Sequence, residues 1–476
     1  MSNQEIDVLP HLRKLPKDVF TFQISPYSVA LEGWRRGLAL RFLSNQRGSP
    51  SPSNAIRYSL SDGENEYTFA CARGSIVTKE AIDTCVDKAK TYDALKRLNV
   101  PIPEGKTFQK TDSIEDIYKY GESLNFPLVV KATNLGGGRG VFANITTVED
   151  FRKAIATLKE ELERNEIIVE RFFEGTDYRF HVVGDKVSAV AKYYSLNIVG
   201  NGENTIEQLI EIRNKQFKKN RVFKTRNIKV DKEMLVFLEQ NNYTLDSVPR
   251  KNERVFLREQ GTYIGSRLAV DVTDEISDEL RNNAINAVKS IPGLYHGSVD
   301  MIVNEETGLG VVNEVNSRGE ISLHLYPVEG KARDVPKDII DYYFPNSPQR
   351  NENFYFEYEP IKELFLSGYA TEVTIPKFPD KTLYKKEFNL QGSYLGPIYM
   401  KWLKREAAQL DLIGEIKGNK ESGEVKVTTY GTKSNINKFE SIIKEKGTKK
   451  SHINNVTYDD FSKVTNPINI SFEIKD

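Results

Sequence analysis

Apolar and polar positions along this chain alternate between two periods, and the changes of period mark its elements. Helical spacing of apolar residues runs through residues 27–43, 79–98, 147–164, 206–219 and 277–291. Short apolar or period-two runs at 57–60, 67–70, 128–131, 141–145, 167–169, 177–183, 186–194, 297–303 and 308–317 predict strands. Pro101 and Pro103 stop the helix over 79–98, and Thr147, Glu149 and Asp150 start the one over 147–164. Asp62-Gly63, Gly184-Asp185 and Glu305-Glu306-Thr307-Gly308 are turn compositions, each joining two strand runs as an antiparallel hairpin.

One stretch organises the rest: FPLVVKATNLGGGRGVFAN, residues 126–144. Two apolar runs flank Gly136, Gly137, Gly138, Arg139 and Gly140, with Lys131 at the end of the first. Glycines at a hairpin tip leave successive backbone N–H groups open to an anionic ligand, and a nucleotide polyphosphate suits them. A Walker loop or a dinucleotide loop would lead from strand into helix, whereas these glycines lead back into a strand. A solvent-exposed hairpin without a ligand is the plain alternative.

The hairpin across residues 305–308 carries a second pattern. Counting outward from the turn sets Asp300 opposite Glu314, and Asn316, two residues on, shares that face. Two carboxylates side by side among Val299, Ile302, Val312 and Val315 repel unless a cation lies between them, and oxygen-only donors suit magnesium. Asp177, Arg179 and His181 alternate along another strand and share one face, and Lys192 returns to the same region after the turn at Gly184.

Composition narrows the options. In 476 residues, Lys plus Arg equals Asp plus Glu at 67 each, so no net field favours nucleic acid or a membrane surface. No apolar run approaches the roughly 20 residues of a membrane span, and the first residues lack the pattern of a signal peptide. The two cysteines, Cys71 and Cys85, lack metal-site spacing, which points to reduced thiols in the cytoplasm. Residues 346–364 read as a polar, proline-bounded linker. After it, strand 382–391, helix 398–410, strands 411–418 and 423–430, helix 434–446 and a last strand near 467–474 predict a ferredoxin-like unit.

The motifs DKAKTYDALKRLNVPIPEG, FPLVVKATNLGGGRGV, IIVERFFEGTDYRFHVVGDKVSAVAKY, SVPRKNERVFLRE, LAVDVTDEI and VVNEVNSRGEISLH resemble the ATP-grasp superfamily. Within it they resemble the ligase modules of cyanophycin synthetases and fused glutathione synthetases. The resemblance implies that Lys88 and Lys131 hold ATP phosphates and that Gly136 to Gly140 form a lid. It implies that Glu170, Arg171, Phe172 and Phe173 hold adenine, that Asp177 meets the ribose, and that Asp300, Glu314 and Asn316 hold Mg2+ or Mn2+. Arg179 and Lys192 complete the nucleotide site in this reading. Where the family has other residues, Arg267 and Arg318 stand on the acceptor side as candidates for the phosphoryl group or the acyl-phosphate oxyanion.

Residues 390–431 resemble acylphosphatase through Gly392, Gly396, Trp402, Leu412, Gly414 and Gly423. The phosphate-loop arginine of that family is Met400 here, the last loop glycine is Ile398, and Asn419 is the candidate asparagine. A thioether cannot donate to a phosphate, so this domain is expected to be catalytically silent. The expected fold is α+β: a small cap over 1–85, an ATP-grasp domain over 86–345, the linker, and an acylphosphatase-like domain over 365–476. The expected function is an ATP-dependent carboxylate–amine ligase acting on amino acids or peptides, as a monomer or a homodimer. A nucleotide-binding sensor or scaffold without turnover is the alternative.

Overall fold

In the computed structural model, the helix expected over 79–98 is broken at Asp87 into Lys79–Val86 and Lys88–Arg97. Asp87 has extended backbone, and its carboxylate accepts the N–H groups of Ala89 and Lys90 at 2.9 and 3.2 Å. It ends one helix and caps the next. Lys88 therefore occupies the first position of the second helix. The structure describes residues 8–475 apart from 14, 45–55, 134, 136–138, 162–165, 259–266, 351–353, 380–381, 419–423, 446, 449 and 465–467.

A small sheet follows in the order Gly105–Phe108, Ile167–Arg171, Leu128–Ala132, Val141–Ile145, all antiparallel. The glycine-tipped hairpin forms as expected, with Leu128 opposite Ile145 and Lys131 opposite Val141. The helices Ile114–Ser123 and Val148–Ala156 bring Ile117, Phe151, Ala154 and Ile155 onto Leu128, Val130, Ile167 and Val169. Gly121 is required where these helices meet, since a Cβ there would lie 2.2 Å from the Phe151 ring. Each fully buried Val or Ile contributes about 1.5–3 kcal/mol.

A larger antiparallel sheet runs Leu268–Asp271, Lys186–Tyr194, Thr176–Val183, His296–Val303, Gly310–Asn316. One face carries Tyr178, Phe180, Val182, Val190, Val299 and Val315 and is covered by Leu280, Ala284, Ala287 and Val288 of the helix Asp278–Lys289. The opposite face carries Asp177, Arg179 and His181.

Both sheets lie in one compact unit, formed mainly by residues 67–343. A second unit joins Pro10–Val19 and Tyr27–Glu66 to Phe344–Asp476. The first 85 residues thus do not pack as a cap of their own but divide between the two. Nor is 346–364 a solvated linker: Phe354, Phe356, Tyr358 and Ile361 are buried. Tyr27 packs on Phe356 at 4.9 Å between ring centroids and Trp34 on Phe378 at 5.0 Å. The alternation Phe354, Phe356, Tyr358 is a period-two signal hidden between polar flanks.

The tail has the ferredoxin-like order His452–Tyr458, Tyr384–Ser393, Glu424–Gly431, Ile413–Gly418, with helices Pro397–Gln409 and Lys433–Glu445. Its fourth strand is His452–Tyr458, not the one expected near 467–474. Ser462–Lys463 pairs with Tyr384–Ser393, and Phe472–Lys475 adds a sixth strand, parallel to Ile413–Gly418.

Candidate active site

Lys131 lies near the end of its strand and is only 2% exposed. Its Nζ lies 2.7 Å from Glu170 Oε1, donates to Tyr92 Oη at 2.7 Å and to Asn313 Oδ1 at 3.0 Å, which accounts for the three N–H bonds of an ammonium. Tyr92 in turn donates to Glu170 Oε2 at 3.3 Å. Burial lowers the Lys131 pKa and outweighs the adjacent Glu170 carboxylate, which raises it; Lys88 lowers it further and Glu314 raises it. Both phosphate-lysine candidates and one acid of the ribbon are therefore electrostatic neighbours. Lys88 Nζ donates to the Leu135 carbonyl at 2.9 Å, at the base of the hairpin tip.

Asp300 is paired with Glu314 across the ribbon, as the turn count predicted; a bulge between Asp300 and Met301 absorbs the extra residue, and Asn313 stands beside it. Arg179 is the partner of Asp300 on the other side. Its Nε and Nη2 meet Asp300 Oδ1 and Oδ2 at 2.7 Å each, a bidentate pair, and Asn316 Nδ2 donates to Oδ2 at 3.2 Å. Asp300, Glu314 and Asn316 thus converge. Glu314 is half-buried, and among the described residues its carboxylate has neither a hydrogen bond nor an ion pair.

Asp177 meets Arg267 Nη2 at 2.9 Å in a pair that is about two-fifths exposed. Arg179 and Arg267 both lie over the Tyr193 ring, at 5.7 and 5.9 Å. At the expected adenine hinge the backbone is already engaged: Arg171 N–H donates to Glu104 O at 2.8 Å and Phe172 N–H to Pro127 O at 3.0 Å. The Phe172 and Phe173 side chains are half-buried and that of Arg171 is exposed. The Glu170 side chain meets Lys131.

Lys192 lies on the other face of its sheet. An uninterrupted hairpin would set it opposite Asp177. A bulge between Val187 and Ala189 advances the register by one, so it faces Tyr178 and binds Glu305 at 2.6 Å. Arg318 is exposed, and it lies near Cys71, whose thiol burial pushes up to about 11, with Glu320 raising it and Arg318 lowering it. Arg139 is exposed and Gly140 has φ +65°, whereas Gly136, Gly137 and Gly138 lie outside the described residues. So do Gly265, Ser266 and Asn419.

Two site residues escaped the sequence reading. Tyr92 stands four residues after Lys88 on one helix face, a signal that could have been used; Asn313 is the bulge residue beside Glu314, and only the register exposes it. In the tail, Met400 packs against the core, and its sulfur would lie 3.0 Å from a Cβ on Gly418. Tyr394 and Ile398, the latter in the first turn of the helix Pro397–Gln409, are exposed where a phosphate loop would be.

Residues 87–208 match the family described as carbamoyl-phosphate synthase L chain, ATP binding domain. That span includes Lys88, Lys131, Glu170, Asp177 and Arg179. The match over residues 87–208 agrees with the ATP-grasp resemblance of the motifs. Residues 386–474 match the acylphosphatase family. Among curated relatives, the glutathione biosynthesis bifunctional protein GshAB of Clostridium perfringens is 29% identical over 298 residues, covering 60% of this chain and 37% of the relative. Cyanophycin synthetase of Crocosphaera subtropica is 31% identical over 278 residues, 57% of this chain and 32% of the relative. The chain therefore spans about a third of the length of these relatives. A bifunctional glutathione synthetase from Pasteurella multocida, 23% identical, aligns with a TM-score of 0.49 over 61% of this chain and 40% of its own.

Proposed function

We propose that this protein joins a carboxylate to an amine at the expense of ATP, on amino acid or peptide substrates. The observation that carries the reading is the cluster around Lys131, which hydrogen-bonds Asn313 while Lys88 and Glu314 lie within its electrostatic reach. In this reading a substrate carboxylate attacks the γ-phosphate of ATP, releasing ADP and an acyl phosphate, and an amine then displaces phosphate. Lys88 and Lys131 hold the phosphates, and Asp177 and the 170–173 segment hold the nucleoside. Arg267 and Arg318 are assigned to the acceptor side.

The donor set of Asp300, Glu314 and Asn316, two carboxylates and an amide, fits magnesium or manganese, and Glu314 has a carboxylate to offer. Such an ion, when bound, neutralises phosphate charge. The protein's own share is positioning and preorganised charge.

The ATP-grasp domain is assigned to residues 86–345 and a silent acylphosphatase-like domain to 365–476, used for docking or dimerisation. Among the described residues no helix is long and apolar enough to cross a membrane, and a cytoplasmic location is part of the proposal. A substrate screen reading ADP release from ATP and amino acid mixtures, followed by the mass of the product, tests the reading.

One observation favours a second reading, a nucleotide sensor without turnover: Arg179 engages both oxygens of Asp300. ATP binding without ADP release in every mixture would support that reading and exclude the ligase.

A further inference from the structure

Every N–H group of Lys131 is already engaged. An ammonium has three, and those of Lys131 go to Glu170 Oε1 at 2.7 Å, Tyr92 Oη at 2.7 Å and Asn313 Oδ1 at 3.0 Å. A phosphate oxygen that hydrogen-bonds Lys131 must therefore take over one of these three places. Which place it takes depends on what each partner would lose.

Glu170 is 3% exposed and Tyr92 6%. Parting Lys131 from Glu170 would leave a buried carboxylate with Tyr92 as its remaining donor, at 3.3 Å. Parting it from Tyr92 would break a chain in which the hydroxyl accepts from Lys131 and donates to Glu170, and would draw Nζ away from a ring whose centroid is 5.0 Å distant. A buried polar group deprived of its partner costs its full desolvation. Asn313 differs on each count. It is uncharged, its bond is the longest of the three, and it is half-buried, so its amide oxygen can turn to water. It also stands next to Glu314 on the ribbon, where the proposed function brings the phosphates.

We infer that Asn313 is a placeholder for a nucleotide phosphate: its amide oxygen satisfies Lys131 while the site is empty, gives way when ATP binds, and thereby sets the affinity of the site. This rests on the proposed function, in which Lys131 meets the phosphates of ATP. A stronger acceptor at position 313 holds Lys131 more firmly and opposes the nucleotide. A side chain that cannot accept leaves the place to water, which a phosphate oxygen replaces bond for bond.

Equilibrium binding of a fluorescent ATP analogue to the full chain in EDTA, where no metal can bridge a new carboxylate, compares wild type with N313L, N313A and N313D. The Kd should fall about twofold to tenfold in N313L and N313A, the net worth of one hydrogen bond. It should rise roughly tenfold to a hundredfold in N313D, which offers Lys131 a carboxylate. A merely structural role for Asn313 would instead weaken binding in all three. In the K131M/E170Q background no ammonium remains to be contested, and N313L should no longer tighten binding. Matching melting temperatures establish that each variant is folded, and N313A serves where leucine does not fit.

Unchanged or weaker binding in the folded N313L or N313A would overturn the inference, as would the same tightening by N313L with and without Lys131. Either result leaves the nucleotide site standing, since the wild type still binds the analogue. A wild type that binds no analogue, in EDTA or in Mg2+, would overturn the nucleotide site and the inference together.

Discussion

Replacing Lys131 by Met is the perturbation whose cost the structure fixes most tightly. Lys131 and Glu170 are 2% and 3% exposed and 2.7 Å apart. Methionine fills the space of the lysine stem and removes the charge, leaving the Glu170 carboxylate buried with Tyr92 as its remaining donor. Removing one partner of a buried ion pair costs about 3–5 kcal/mol, while exchanging both for neutral groups of similar shape is close to neutral. The double variant K131M/E170Q should therefore recover most of what K131M loses, and the coupling energy from the cycle should exceed about 2 kcal/mol. Urea denaturation followed by circular dichroism measures this. The two tryptophans, Trp34 and Trp402, both belong to the second unit, so their fluorescence provides an internal reference. A loss below about 1 kcal/mol in K131M, or a double variant no better than the single, would refute the buried pair.

Three further outcomes are expected. His296 and His324 are fully buried, and burial chiefly holds each pKa down at about 4. The unfolded chain, with histidine near 6.5, takes up protons that the native state refuses, so stability should fall as pH drops from about 6.5 to about 4, by up to about 1.4 kcal/mol per pH unit and histidine; H324Q should flatten that slope, and an unchanged slope in the urea midpoint would contradict the assignment. G319A should lose about 1–3 kcal/mol in the same assay, since its Cβ would lie 2.3 Å from Ser298 Oγ and 2.8 Å from the His181 ring; wild-type stability in that variant would show that the loop after Asn316 is not packed as described. The full chain should hydrolyse benzoyl phosphate no faster than buffer, because Met400 offers no donor; protein-dependent release of benzoate would restore an activity to the tail.

The acid ribbon was legible because four turn residues, Glu305 to Gly308, fix a register between two strands whose alternate positions are buried. Lys131 and its hairpin were legible for the same reason. Lys192, expected only near the region of Asp177, lies on the other face because one bulge residue reverses every side chain beyond it, and nothing in VSAVA announces the bulge. The break at Asp87 was hidden because the apolar period continues through it; only the backbone angles of Asp87 reveal the cap. His452–Tyr458 is mainly exposed and so lacks the alternation that identified the other tail strands. The contacts of Lys131 with Tyr92 and Asn313 join residues far apart in sequence, and no local pattern encodes them.

In the proposed function, nucleotide and divalent cation meet at the Asp300–Glu314 ribbon. Equilibrium binding of a fluorescent ATP analogue, titrated with and without Mg2+ or Mn2+, tests it most directly on wild type, E314Q and E306Q. Glu306 is an exposed acid at the turn of the same ribbon. Metal should tighten binding in wild type and E306Q, and E314Q should lose this increment; the same increment in E314Q as in wild type would place the ion elsewhere.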